Sequence, residues 1–265
     1  MMITSSTNAK VKQVVQWREK ARERHRDRVF IAEGFKMFEE APEEGIQEVY
    51  VSSDALAAGK NHAFMREKLE RTGYELVSPQ VLAKMSDTKT PQGILTVVRQ
   101  PRYEFSELLK AENPLLVVLE SLQDPGNLGT IVRTGEGAGI TGVILTAGTV
   151  DLFNPKVIRA TMGSIYRVPF VCEENTELAV KKLRGHGISV FACHLEGKTY
   201  YDNVSFAGPS AFLIGNEGRG LTAASAALAD LYLKIPMEGR VESLNASIAA
   251  ALVMYEAHRQ RSIVQ

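Results

Sequence analysis

"SLQDPGNLGTIVRTGEGAG", residues 121–139, lies between two short apolar runs, "LLVVLE" (115–120) and "GVILTA" (142–147). Such runs, bounded by turn residues, read as strands buried on both faces. Between them Leu128, Ile131, Val132, Gly135 and Ala138 recur at helical spacing. The stretch therefore predicts a strand, a turn, a helix over 127–138 ended by Gly139, and a second strand. Pro125 and Gly126 make the turn, and Asn127 is the expected helix cap. Arg133 falls about 140° around the helical wheel from Leu128 and so points away from the apolar stripe.

The glycines do not fit a dinucleotide site. That fingerprint needs GxGxxG directly after the strand, so that the pyrophosphate lies on the helix N-terminus. Here Gly126 and Gly129 open the helix, while Gly135, Gly137 and Gly139 crowd its far end. The stretch also lacks a lysine followed by Ser or Thr, as a phosphate loop requires.

Outward from this unit, "RQPRYEFSELLKAENP" (99–114) is a polar, charged connection bracketed by two prolines. After it, apolar runs at 115–120, 142–146, 188–192, 211–215 and 231–235 alternate with helical patterns, which points to a largely parallel sheet covered by helices. Before it the pattern is mixed: a basic helix over 10–28, a strand at 47–52, a helix at 62–71, and strands at 74–77 and 93–98. The expected organisation is α/β throughout, with a smaller domain over 1–100 and a parallel-sheet domain over 113–265.

Composition limits the function classes. The 265 residues are 45% hydrophobic and 23% charged, which suits folded domains and excludes general disorder. No apolar run reaches the ~18 residues of a membrane helix; "ASIAAALVMY" (246–255) is too short. The opening residues show no basic cap followed by an apolar core, so no secretory signal is expected. Cys172 and Cys193 stand in no metal-binding spacing and the five histidines form no HExxH. A cytoplasmic protein without metal or membrane partner is the expectation.

Charge is balanced at 31 basic and 31 acidic residues, but unevenly along the chain. Residues 1–36 hold nine Lys or Arg against four acids. Lys10, Lys12, Arg22, Arg24 and Arg26 are therefore candidate phosphate contacts. The competing reading is a solvated helix face on which Glu19 pairs with Arg22 and Glu23 with Arg26. Trp17 and Phe35 are expected in the core rather than as base-stacking platforms.

Two further segments carry chemistry. "AFLIGNEGRGL" (211–221) is an apolar run entering a glycine-rich loop with one carboxylate, Glu217. "LKIPMEGRVESLNASIAAALVMYEAHRQR" (233–261) is a strand, a loop and a helix on which Leu244, Ile248, Leu252 and Tyr255 share a face. Taken locally, Gly215 and Gly218 are turn residues, Ser243 is a helix cap and Asn245 a polar residue of the first turn.

In this order the segments resemble the SpoU (TrmH) family of RNA ribose methyltransferases, within the SPOUT superfamily. The family's first motif, an asparagine followed six residues later by an arginine, is matched by Asn127 and Arg133. "IGNEGRGL" matches the second motif, and "IPMEGRVESLNAS" the third. The N-terminal residues, with "TPQGIL", resemble the substrate-binding domain that many members carry, shaped like certain ribosomal RNA-binding proteins. The resemblance implies a C-terminal domain threaded as a trefoil knot, homodimeric through that domain. It further implies S-adenosylmethionine held by Gly215, Ile235, Met237 and Leu244, in a pocket that glycine main chain and apolar side chains would suit. Arg133, Asn127, Glu217, Ser243 and Asn245 become the expected catalytic residues.

The implied reaction is methyl transfer to a ribose 2′-hydroxyl, with ribosomal RNA the expected substrate and transfer RNA the alternative. DNA is not expected. A base-methylating SPOUT enzyme would share the knot, but the Asn127/Arg133 and Ser243/Asn245 pairs resemble the ribose-methylating branch. A non-catalytic RNA-binding or ribosome-associated protein would not need all three motifs. The family proposal makes the arginine a general base, yet a guanidinium is protonated at any physiological pH. Two roles thus stand for Arg133: transient proton acceptor, or fixed cation beside the developing alkoxide. Glu217 is expected to position rather than to abstract a proton.

Overall fold

The computed structural model describes residues 2–57 and 63–263. In chain order the first elements are α1 (Ala9–Glu19), α2 (Ala21–Asp27), β1 (Val29–Glu33), α3 (Phe35–Glu40), β2 (Ile46–Ser52) and α4 (Ser53–Ala57). Next come α5 (Ala63–Thr72), β3 (Glu75–Val77), α6 (Pro79–Met85), β4 (Ile94–Arg99) and α7 (Phe105–Leu108). The central stretch holds β5 (Leu115–Leu119), α8 (Pro125–Ala138), β6 (Gly142–Thr146), α9 (Pro155–Thr161), β7 (Phe170–Glu173) and α10 (Thr176–Gly185). The chain continues with β8 (Ser189–Cys193), β9 (Thr199–Tyr200), β10 (Ser210–Ile214), α11 (Ala223–Ala226), β11 (Leu231–Lys234) and α12 (Ala246–Ile263). Among the described residues no helix is long and apolar enough to cross a membrane.

The chain divides into two compact units, Met1–Pro101 with Asp151–Tyr166, and Arg102–Val150 with Arg167–Gln265. The first holds a four-stranded sheet in the order β1-β4-β2-β3, with only β2 and β3 parallel. Helices cover both of its faces. Val11, Val14 and Trp17 of α1 and Val81, Leu82 and Met85 of α6 pack with Val29, Ile31, Leu95 and Val97. Phe38 and Leu69 pack with Val49, Val51 and Ile94. Trp17 is thus core as expected, and Phe35 is half-buried against the second cluster. The expected helix at 62–71 is α5, His62 lying outside the described residues. β1, unmarked in the sequence reading, sits directly after the basic run.

The basic helix expected over 10–28 is two helices. Lys20 is extended (φ −120°, ψ 112°), and the chain turns back there. Arg24 explains the break. Its guanidinium donates to the main-chain carbonyls of Trp17 (2.6 Å) and Arg18 (3.0 Å), groups that the end of α1 leaves without helical partners. It also pairs with Asp151 at 2.5 Å, and its side chain is 3% exposed. Phe153, from the same interposed segment, stacks on Phe30 at 5.3 Å. Glu23 pairs with Arg26 as expected, whereas Glu19 pairs with Arg18 and not with Arg22.

The second unit is built on a seven-stranded parallel sheet in the order β7-β6-β5-β10-β8-β11-β9. β5, β6 and β10 are buried along their whole length, which is why they appear in the sequence as unbroken apolar runs rather than alternating ones. On one side Ala179, Val180 and Leu183 of α10 pack with Ile144, Val118 and Val190. On the other, α12 packs on α8 and β10. β7 and β9, short and half-exposed, escaped the sequence reading.

α8 ends at Gly139 as expected, in left-handed conformation (φ +78°). Its cap is Asp124 rather than Asn127: the Asp124 carboxylate accepts the Asn127 N–H at 2.8 Å, one turn earlier than expected. α12 also differs from expectation. Ala246, Ala250, Val253, Met254 and Ala257 are buried, while Ile248 and Tyr255 of the expected apolar face are 50% and 48% exposed. Small side chains give a weak apolar signal in sequence but let two helices approach closely. The last turn of α12 is held by Arg261, which donates to the carbonyls of Asn113, Pro114, Phe206 and Gly208 at 2.7–3.2 Å.

Removing Asp151 leaves a buried guanidinium without its counter-charge. Asp151→Ala should cost about 3–5 kcal/mol in urea unfolding, and the double change Arg24→Met/Asp151→Leu should recover most of it. A loss under ~1 kcal/mol in the single variant would show the pair to be incidental.

Candidate active site

In a parallel sheet, ligands bind beyond the carboxyl ends of the strands, where the strand order reverses. β5 and β10 are neighbours there, Leu119 opposite Ile214. The two loops that leave them are residues 120–124, leading into α8, and residues 215–221.

The second loop is closed by its own main chain. Asn216 N–H donates to the Gly220 carbonyl at 3.0 Å, and Gly220 N–H returns to the Asn216 carbonyl at 2.9 Å. The Asn216 side-chain oxygen accepts the N–H groups of Gly218 and Arg219. Gly215 is required: a Cβ there would stand 2.2 Å from the Gly220 carbonyl carbon and the Leu221 nitrogen. Asn216 Nδ2 donates to the Ser121 carbonyl at 2.8 Å, tying one loop to the other. Ser121 adopts a left-handed conformation (φ 52°), uncommon for a residue with a side chain.

Glu217 bridges the same two loops. Its carboxylate accepts the main-chain N–H of Gln123 (3.0 Å) and of Asp124 (2.8 Å), and Nδ2 of Asn127 (3.1 Å). Partial burial would raise its titration, but the N–H of Gln123, the Asn127 amide and the N–H of Asp124 outweigh that and hold it below the usual carboxylate range. Asn127, 8% exposed, accepts Nδ2 of Asn245 at 2.9 Å on its side-chain oxygen. The Asn245 oxygen accepts the Ser247 N–H (2.8 Å) and hydroxyl (2.6 Å). Asn245 is therefore the residue at the head of α12, not Ser243.

Of the five expected catalytic residues, the structure joins Glu217, Asn127 and Asn245 in one hydrogen-bonded chain. Ser243 is exposed on the wall of the adjoining cavity. Arg133 lies apart, six residues along α8 from Asn127 and about 120° around the helix. Its side chain is exposed and, among the described residues, has no partner.

Gly215, Ile235, Met237 and Leu244, expected to hold a cofactor, all line one cavity of about 460 Å³. That volume falls in the ordinary range for small-molecule sites. Another part of its wall, residues 193–196 at the end of β8, was missed in sequence; the signal was available as the carboxyl end of a parallel strand. Burial pushes the Cys193 thiol up to about 12, which leaves it protonated and unreactive. Gln123, Asp124 and Asn216 were also missed, because their contributions are a main-chain N–H, a cap and a turn.

The five N-terminal cations separate into different roles. Lys10 pairs with Glu75, and Arg26 pairs with Glu23 (2.6 Å) and Asp27 (2.8 Å). Arg24 is withdrawn from the surface by its ion pair with Asp151 and cannot meet a phosphate. Lys12 and Arg22 are exposed and without a side-chain partner among the described residues. Among those residues, too, no group of three or more His, Cys, Asp or Glu is placed to hold a metal ion.

Residues 114–255 match the SpoU rRNA Methylase family, and residues 8–96 an MRM3-like substrate binding domain. The chain is 33% identical to the 23S rRNA (guanosine(2553)-2'-O)-methyltransferase RlmP of Bacillus subtilis, over 96% of this chain and 97% of that one. It superposes on the AdoMet-bound SpoU methyltransferase AviRb of Streptomyces viridochromogenes with a TM-score of 0.85 at 28% identity, covering 96% and 98% of the two chains. An AdoMet-bound rRNA methyltransferase of Sinorhizobium meliloti gives a TM-score of 0.86 at 31% identity, covering 98% and 97%.

Because Glu217 titrates below its unfolded value, the stability it contributes is present above the ordinary glutamate range and lost as pH falls through the folded value. Glu217→Gln should therefore weaken the fold at neutral pH and flatten the acid-side fall in stability. Urea titrations at pH 7 and at pH 3 for both proteins check this; parallel pH profiles would remove the linkage.

Proposed function

The chain belongs to the SpoU rRNA Methylase family and is an S-adenosylmethionine-dependent RNA ribose 2′-O-methyltransferase, and we propose that it acts on ribosomal RNA in the cytoplasm with Arg133 as the reactive-site cation. The observation that carries the residue assignment is the chain of hydrogen bonds from Glu217 through Asn127 to Asn245, set beside the cavity.

The cavity suits the cofactor in volume and in chemistry. Gly215 contributes main chain to the cavity wall, and Ile235, Met237 and Leu244 offer apolar surface for an adenine. When bound, S-adenosylmethionine supplies a methyl group already activated by its sulfonium. The protein's own task is to orient the ribose hydroxyl and to stabilise it as its proton leaves.

Glu217 is a positioning residue in this reading. Its two oxygens are taken up by four N–H donors, those of Gln123, Asp124, Asn127 and Asn216, so it holds the two loops together rather than receiving a proton. Asn127 and Asn245 hold the start of α8 against the start of α12, and α8 carries Arg133. A guanidinium has five N–H donors and no acceptor, which suits a fixed cation beside an alkoxide better than a base. Ser243 contacts the ribose from the cavity wall.

A homodimer through the second unit belongs to the same proposal. It is supported by the apolar face that α12 leaves exposed, Ile248 and Tyr255 with half-buried Leu252 between them. The knotted threading that the family resemblance implies is carried with it; β10 lies between β5 and β8, both of which precede it in sequence.

Labelled S-adenosylmethionine incubated with unmodified ribosomal RNA, then alkaline hydrolysis, tests the reaction. Label should appear in alkali-resistant dinucleotides, and Arg133→Ala should lower transfer about 10²–10³-fold with cofactor affinity retained. Alkali-labile label, or near wild-type turnover in the variant, would overturn the assignment. Tyr255→Glu should convert a dimer to monomer in sedimentation velocity; unchanged sedimentation would place the interface elsewhere.

A further inference from the structure

Eight arginines of the second unit are described, and four are held by the fold. Arg167 pairs with Glu136, Arg184 with Asp230 and Arg259 with Glu256, while Arg261 donates to four carbonyls. The other four, Arg102, Arg133, Arg219 and Arg240, are exposed and have no side-chain partner among the described residues. Arg102 lies on the connection before α7. The remaining three lie on the three segments that meet at the site: α8, the loop after β10, and the loop between β11 and α12.

We infer that Arg219 and Arg240 bind backbone phosphates of the RNA flanking the target ribose. The inference rests on the proposed reaction. Arg219 stands on the wall of the cavity, on the loop whose main chain is closed by the Asn216–Gly220 pair. Within that loop Glu217 is engaged with the start of α8, which leaves Arg219 as its long side chain facing solvent. Arg240 follows Gly239 (φ +78°) in a turn whose flanking residues Met237 and Glu242 line the same cavity.

Three of the four held arginines of this unit pair with a carboxylate, in a chain with equal numbers of acids and bases. Leaving two such cations unpaired beside a cavity suits an anion brought by the substrate, and a guanidinium matches a phosphate through two parallel hydrogen bonds. Glu238 and Glu242 flank Arg240 and are exposed. Their charges offset its field beyond about 8–10 Å at physiological salt, so it acts at contact and not by long-range attraction. RNA is on this view gripped by the catalytic unit itself, independently of the N-terminal cations.

Binding of unmodified 23S ribosomal RNA, measured by filter retention from 50 to 200 mM salt, tests this. Arg219→Gln/Arg240→Gln should reduce the slope of log affinity against log salt by about 1.5, since each phosphate contact contributes about 0.7–0.9. KM for RNA should rise on the order of tenfold, with turnover recovered at saturating RNA and cofactor affinity unchanged when RNA is absent. Arg219→Lys/Arg240→Lys should keep the slope, and Arg102→Gln should not alter it. An unchanged slope in the double variant overturns the inference. So does weaker cofactor binding without RNA, which would assign the arginines to the cofactor's carboxylate, or an equal effect from Arg102→Gln. A wild-type protein that neither binds nor methylates this RNA would instead sink the proposed substrate.

Discussion

The Glu217 carboxylate takes the main-chain N–H of Asp124, a donor that the start of α8 leaves without a helical partner, and that of Gln123 just before it. With Asn127 added, two strand ends that are neighbours in the sheet but some 90 residues apart in sequence become one rigid corner. Asn127 extends the corner to Asn245, and hence to the first turn of α12. The site is thus held by neutral amides and one carboxylate with its acceptors occupied. Arg133, on α8, is positioned by a helix whose start is fixed at that corner.

Two backbone features make the corner possible. Gly215 lets the loop after β10 fold back on itself within van der Waals range of Gly220, where any Cβ would overlap main chain. Ser121 accepts a left-handed conformation that costs on the order of 1 kcal/mol, and its carbonyl then receives Asn216 Nδ2. Glycine is used where no atom fits. A strained serine is tolerated where a hydrogen bond offsets the cost.

Cations serve opposite purposes in the two units. In the first, Arg24 is buried to cap α1 and to bond Asp151, so the most basic stretch of the chain contributes one of its arginines to structure. In the second, three of the four unpaired arginines lie on the segments of the site. A charge count along the sequence cannot separate these uses, because pairing depends on which carboxylate folding brings near.

Five of the seven strands of the second unit, the turn at 121–126, the end of α8 at Gly139 and the three motif segments were legible in the residues. Each rests on local physics: unbroken apolar runs for strands buried on both faces, helical spacing for α8, and glycine where φ is positive. The break at Lys20 and the buried face of α12 were not legible, since each depends on a partner distant in sequence; the caps at Asp124 and Asn245 bond residues only two or three positions on, and were missed because Asn127 and Ser243 offer the same capping chemistry nearby. Asn127 looked like a cap because a cap and a cross-linking amide are the same residue type; only the placement of Glu217 and Asn245 decides between them. Residue chemistry along the chain determined the parallel α/β unit and the identity of the groups at its site. The tertiary structure decided which of those groups meet, because hydrogen bonds and ion pairs are properties of distance in space.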